Sequence, residues 1–377
     1  MKRLGFVEAV CLVAGAGIGG GVMAVPYLAE RTGFLPACGI AVLAYAVTLI
    51  LHIMVAELSV RTDYSGELLT VFSRHLFKGK KLLSAMFYIL MAVTLVCNLA
   101  AYVVGSGEIL SQLTAMPVYA GKLIFFAIAA FVVFLGLKRI AVNEVFAILI
   151  LLCFLGAMSV LSFRGEGQLR LFSESSSASP LLAVYGMIMF SFSSLFAVPQ
   201  AASGLKGSRK RLILAVCLGL LINLAVTLIV IAASMYASQP VTEVAIVGWA
   251  AALGPVVNIL GSLFIFIAML STFWSISLQL CDMTGSFFKA GHRLSWLIAT
   301  LPCFALAMLP VSGFLDLMQL AGGATAVIIA LMVVPAYRNS IKGEGAEALL
   351  LGGLGKSKGI ALAIVIMYIL MAVASFL

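Results

Sequence analysis

Charge is scarce in this chain. Aspartate, glutamate, lysine and arginine make up 10% of its 377 residues, against roughly 25% in soluble globular domains. Histidine is rarer still, with only His52, His75 and His292. The seven cysteines fall in apolar segments without C-x-x-C or other metal-ligand spacing, and read as small packing residues. There is no H-E-x-x-H, no G-x-S-x-G and no pair of aspartates within an apolar run, so the usual signatures of an intramembrane enzyme are missing. A selectivity-filter motif and rings of charge, which a channel would want, are missing too.

What fills the chain is apolar. Hydrophobic residues make up 63%, and the mean hydropathy is +1.20. Runs of about 20 apolar residues, the length that crosses a bilayer as helix, lie at 5–29, 34–59, 82–110, 119–137, 141–162, 180–203, 211–237, 247–281, 293–310, 313–337 and 358–377. These predict an all-α integral membrane protein with eleven transmembrane helices in a single transmembrane domain over 1–377. Such long runs, without ten-residue alternation, exclude an outer-membrane barrel.

The formal charge of +9 is a matter of topology. With the N-terminus inside, nineteen of the 23 lysines and arginines fall on the inner side, and only Arg31, Lys122, Arg164 and Arg170 fall outside. This positive-inside bias predicts a cytoplasmic N-terminus and an external C-terminus in the plasma membrane of a prokaryote. Membrane lipids are the expected partner of the basic loops, and nucleic acid is not. Met1-Lys2-Arg3 ahead of an apolar run has the outline of a secretory signal, but the glycines that follow spoil its apolar core.

Those glycines are the strongest local signal. VAGAGIGGGVMAVP at 13–26 places Gly15, Gly17, Gly19, Gly20 and Gly21 within seven positions of the first span, where each costs about 1 kcal/mol relative to alanine in a helix. A helix break is expected there. VMAVP at 22–26 is echoed by LFAVP at 195–199 in the sixth span, after the helix-weakening SFSS at 191–194. The copies are five spans apart, an odd number, so they enter the membrane from opposite sides. That predicts inverted five-helix repeats at about 5–162 and 180–337, with broken first and sixth helices and an extra helix at 358–377. Two facing breaks bring unpaired amides, which attract a carboxylate, next to carbonyls that attract a cation or ammonium. An amino acid carries both charges on one carbon. Gly15, Gly17 and Gly20 also spell G-x-G-x-x-G, but neither a preceding strand nor the acidic residue about 20 positions on is present.

In VAGAGIGGGVMAVP, in AAYVVGSGEIL at 100–110, in MFSFSSLFAVPQ at 189–200, in STFWSISLQLCD at 271–282 and in QLAGGATAVIIALMVVP at 319–335, the chain resembles the aromatic amino acid permeases of the tyrosine and tryptophan type. These belong to the amino acid carriers with five-plus-five inverted repeats. It departs from their pattern in the sixth span, where Ser193, Ser194, Leu195 and Phe196 stand in place of a phenylalanine, glycine and histidine cluster. The resemblance implies a secondary active, cation-coupled symporter of neutral, aromatic or large hydrophobic amino acids, with no cofactor beyond a coupling ion.

The candidate substrate-binding residues are Ala16, Gly17, Gly19, Gly20 and Gly21 in the first span, and Asn98 and Tyr102 in the third. Phe190, Ser191, Phe192, Ser193 and Ser194 in the sixth and Ser275 in the eighth complete the set. By resemblance to sodium-coupled relatives, carbonyls of Ala14 and Gly17 with hydroxyls of Ser271 and Thr272 form a candidate sodium site, and hard oxygen donors suit such a cation. Proton-coupled members of the superfamily often carry a lysine in the fifth span, and 145–162 contains none. Proton coupling stays open as the alternative, with Glu108, Glu57 and His52 as its candidates.

Overall fold

A computed structural model describes residues 4–135, 140–173, 177–310, 313–342 and 349–376, all helix and connecting turns. The first run is two helices, α1 (Phe6–Gly17) and α2 (Gly20–Ala29), bent by 47°. Then come α3 (Phe34–Arg61), a short α4 (Leu68–Phe72) leading into a π turn at Ser73–Phe77, α5 (Lys81–Thr114), α6 (Val118–Phe134) and α7 (Ile140–Ser162). The sixth run is divided into α8 (Ala178–Ser191) and α9 (Ala197–Gly204). After it come α10 (Arg209–Ala237), α11 (Ala245–Ala252), α12 (Pro255–Phe288) and α13 (His292–Ala307). The chain continues with α14 (Phe314–Ile328), which passes through a π turn at Ile329–Val333 into α15 (Val334–Ser340), and ends with α16 (Gly353–Lys356) and α17 (Lys358–Ala374).

By length and composition, α3, α5, α10, α12 and the continuous α14–α15 can each cross a membrane, and the bent pair α1–α2 makes a sixth. The helices at Val118–Phe134, Ile148–Ser162, Ala178–Ser191 and Lys358–Ala374 are apolar but shorter. One expected run is wrongly bounded. The stretch 247–281 is not one helix, because Gly254 at φ +109° and Pro255 at the first helical turn end α11 and start α12 afresh. Pro335, by contrast, does not end its helix. It lacks the N–H that would bond back four residues, and the π turn just before it absorbs the mismatch.

The outer surface is that of a lipid-facing protein. Leu82, Met86, Ile89 and Val93 stand exposed along one stripe of α5, and Leu362, Ile366, Ile369 and Val373 repeat the same spacing on α17. Inside, α5 is the hub, packed against α6, α12, α13 and α14, while α3 packs on α8, α9, α10 and α15. Lipid tails are as apolar as leucine, so close backbone approach must hold these helices together. Gly107 and Gly121 provide it between α5 and α6: a Cβ on Gly121 would stand 2.6 Å from the Gly107 carbonyl oxygen.

At the end of α3, side chains tie the loops down. Glu57 accepts from Arg61 Nε at 3.1 Å and from the Leu350 amide at 2.8 Å, and Arg61 donates to the Ser340 carbonyl at 3.3 Å. Thr62 gives its proton to the Leu58 carbonyl, so its oxygen accepts from His75 Nε2 at 3.0 Å. The segment ahead of α1 is tied to the end of α9, with the Leu4 amide on the Gly204 carbonyl at 3.1 Å.

Gly121→Ala should destabilise the protein by about 1–3 kcal/mol through overpacking, seen as a lower melting temperature in detergent. Gly156→Ala, where a Cβ would meet nothing within 4 Å, is the matched control and should be neutral. His75 is held below its ordinary pKa of 6.5 by burial and then by the Arg74 and Arg61 charges. The unfolded chain therefore binds the proton more readily, and stability present above about pH 6.5 falls as the medium is acidified through the lowered value. His75→Gln should flatten the melting profile between pH 7 and pH 5; an unchanged slope would remove His75 from the account.

Candidate functional site at the two helix breaks

A broken helix in hydrocarbon leaves backbone groups that must find partners, each costing several kcal/mol if it fails. At the first break the Gly19 amide turns back to the Gly17 carbonyl at 2.9 Å, and the Gly20 amide donates to the Tyr102 hydroxyl on α5 at 3.0 Å. At the second break, which spans 192–196, Asn223 Nδ2 on α10 donates to the Ser191 carbonyl at 2.8 Å. The Ser194 amide reaches His52 Nε2 on α3 at 2.9 Å, and Ser194 Oγ donates to the Val13 carbonyl of α1 at 2.7 Å. Three intact helices thus supply what the two broken ones lack.

The glycines have distinct reasons. A Cβ on Gly17 would overlap the Asn223 amide and come within 2.9 Å of the Ser191 carbonyl oxygen, and one on Gly21 would stand 3.0 Å from Ser191 Cα. These two let the broken spans touch backbone to backbone. Gly19 and Gly20 face side chains instead, the Tyr102 hydroxyl and Met318.

Between the breaks and α12 lies a cavity of about 690 Å³, within the range of small-molecule sites. Ala16, Gly17, Gly19, Gly20 and Gly21 line it from the first break, and Phe190, Ser191, Ser193 and Ser194 from the second. Asn98 and Tyr102 line it from α5, and Ser271, Thr272 and Ser275 from α12. Among the described residues that line it, none is charged. The lining favours the half of the molecule that holds the N-terminal segment: Leu12 before the first break, Gln200 after the second, Thr94 on α5 and Gln279 on α12.

Five of the expected residues stand elsewhere. Phe192 is fully buried off the cavity, and Ala14 lies behind the wall with its carbonyl accepting from the Ile18 amide at 3.0 Å. Gly17, Ser271 and Thr272 do line one cavity, and α1 is packed on α7, α9 and α10. Thr272 Oγ1 gives its proton to the Ala268 carbonyl at 3.0 Å, which leaves its oxygen as an acceptor only. Glu57 belongs to the tie at the end of α3, and His52 lies behind the second break. Glu108 is six residues beyond Tyr102 on α5, with Glu243 and Lys122 as its charged neighbours. Glu8 and Asp316, other acids in the spans, cap their own helices at Gly5 and Gly313, and the side chain of Glu144 lies outside the described residues.

Sequence reasoning passed over Asn223, Trp274 and Gln279. Signals existed for two. Asn223 is the one amide in the apolar run of α10, and Gln279 continues the four-residue spacing of Ser271 and Ser275. Asn98 Oδ1, Trp274 Nε1 and Gln279 Oε1 are buried beside the cavity with no hydrogen-bond partner among the described residues.

Gly21→Ala should cost assembly or melting temperature, because its neighbour is backbone that cannot yield. Gly19→Ala should leave the fold intact and displace only the Tyr102 hydroxyl. Equal melting temperatures for the two variants would contradict this division.

Comparison with known proteins agrees with this geometry. The model of the tryptophan/tyrosine permease family matches residues 2–374. No curated protein matches. Among solved structures, MhsT in complex with L-phenylalanine is 15% identical, covering 100% of this chain and 99% of its own, with a TM-score of 0.68. Mhp1, a nucleobase-cation-symport-1 family transporter, is 14% identical over 99% and 91% with a TM-score of 0.69. A manganese transporter of Eremococcus coleocola is 16% identical over 98% and 85% with a TM-score of 0.68. At these identities the likeness is one of fold, that of transporters with an all-helical membrane domain. The protein is an integral membrane transporter of amino acids and not an enzyme, and the chain belongs to the tryptophan/tyrosine permease family.

Proposed function

We propose that the protein is a cation-coupled symporter of neutral amino acids with aromatic or large hydrophobic side chains, working by alternating access to the cavity between the two breaks. The observation that carries this reading is a cavity wall with no charged side chain among the described residues, apolar and aromatic on one part and rich in hydroxyls and backbone on another. A zwitterion suits such a wall. Tyr102 accepts from Gly20 and keeps its own proton to give to a substrate carboxylate. Carbonyl and hydroxyl oxygens at the breaks suit the ammonium. Phe190, Phe196, Phe264 and Trp274 offer surface to a large apolar side chain. A cationic side chain would stand there unpaired, at a cost of several kcal/mol.

Sodium is the coupling ion favoured here. Thr272 presents an oxygen with its proton already committed, Ser271 is beside it, and Gly17 faces them across the cavity. Among the described residues no three of histidine, cysteine, aspartate and glutamate gather as a metal site, so transition-metal cargo of the kind named for the manganese transporter finds no support. The positive-inside orientation makes the lined half cytoplasmic, and the conformation described is then inward-facing.

In detergent, tryptophan, tyrosine, phenylalanine or leucine should raise the melting temperature. At a hundred times Kd the gain is about 2.7 kcal/mol. Lysine and arginine should not raise it, and equal stabilisation by them would refute the assignment of a neutral substrate. Replacing sodium by choline at constant pH and ionic strength should weaken substrate binding in the wild type and change little in Thr272→Ala. Affinity that ignores sodium and follows pH would instead favour proton coupling through Glu108.

A further inference from the structure

The second break is held from behind by a histidine that takes no part in the cavity wall. His52 is fully buried in the middle of α3. Its Nδ1 is 2.6 Å from the Thr48 carbonyl oxygen, which can only accept, so Nδ1 carries the proton. Its Nε2 is 2.9 Å from the Ser194 amide, which can only donate, so Nε2 must be bare. Both ring nitrogens are committed. A second proton would set two donors against each other at Nε2. The Ser194 amide has in addition only the Phe192 carbonyl, two residues back in a tight turn at 3.0 Å. Three residues earlier, Asn223 holds the Ser191 carbonyl. The unwound stretch is therefore pinned at 191 from α10 and at 194 from α3, and Ser193, between the pins, lines the cavity. Through Ser194 Oγ the same point is joined to Val13 of α1.

We infer that His52 is a positioning residue, which sets the unwound segment of the sixth span as part of the cavity wall by accepting the Ser194 N–H, and is not a proton carrier in coupling. The inference rests on the amino acid transport reading for its assay. Glutamine can place an acceptor oxygen where Nε2 stands, and asparagine can place only a donor where Nδ1 stands. Leucine supplies neither.

The test compares His52→Gln, His52→Asn and His52→Leu with the wild type, in detergent with sodium present. Three quantities are measured: the melting temperature without ligand, the affinity from stabilisation by a panel of neutral amino acids and, after reconstitution into vesicles, the rate of coupled uptake. His52→Gln should bind within about threefold of the wild type. His52→Asn should lose at least about tenfold in affinity, the scale of a buried amide left unpaired, and His52→Leu should lose as much or more. Failure of the asparagine and leucine proteins to assemble, with the glutamine protein intact, is the same requirement for an acceptor expressed as folding. Four equal affinities, or a glutamine variant as impaired as the leucine one, would overturn the positioning role. Coupled uptake by His52→Leu at the wild-type rate would also overturn it. A wild type that binds no amino acid of the panel would instead refute the transport reading, and the unliganded melting temperatures would then still rank the three variants for or against the acceptor.

Discussion

Every peptide group inside a bilayer needs a hydrogen-bond partner from the protein itself, and the architecture around the two breaks follows from that demand. An unbroken helix meets it internally and offers nothing to a polar ligand. A broken one exposes amides and carbonyls, and this chain answers the debt with single side chains on neighbouring intact helices: Tyr102, His52 and Asn223. Each is a polar residue in an apolar environment, expensive unless paired. The pairing with freed backbone is what makes both tolerable.

Steric economy follows from the same arrangement. Side chains can serve a break only if the broken spans lie close, and the absence of Cβ atoms at Gly17 and Gly21 allows the approach to Ser191. Elsewhere the same device joins α5 to α6 at Gly107 and Gly121. The hub helix α5 thus has two roles, as scaffold toward α6, α13 and α14 and as cavity wall toward the breaks.

The sequence made the membrane class and the two breaks legible because both are local. Apolar length and glycine content act within one helix, and the SFSS stretch is weak wherever it packs. The resemblance to permeases brought in Tyr102 and the hydroxyls of α12. What could not be read was which partner each freed group would choose. Asn223 and His52 lie far from the breaks in sequence, and only packing shows that a buried candidate for proton transfer is a committed acceptor. Phe192 illustrates the limit at single-residue scale, since once a helix unwinds its 3.6-residue period no longer tells which neighbour faces the cavity. The junction at Gly254 and Pro255 was visible as residues, but hydropathy averaged over a window runs straight across it.

A wall whose described side chains carry no charge has an electrical consequence. Moving one elementary charge through a membrane potential of 100 mV is worth about 2.3 kcal/mol. The described lining residues contribute no such charge, so they add nothing to the voltage dependence of the empty carrier's reorientation. A zwitterion adds nothing to the sum. In the proposed symport, the voltage sensitivity of the cavity would arrive with the bound ion, and the potential would pull on the loaded step.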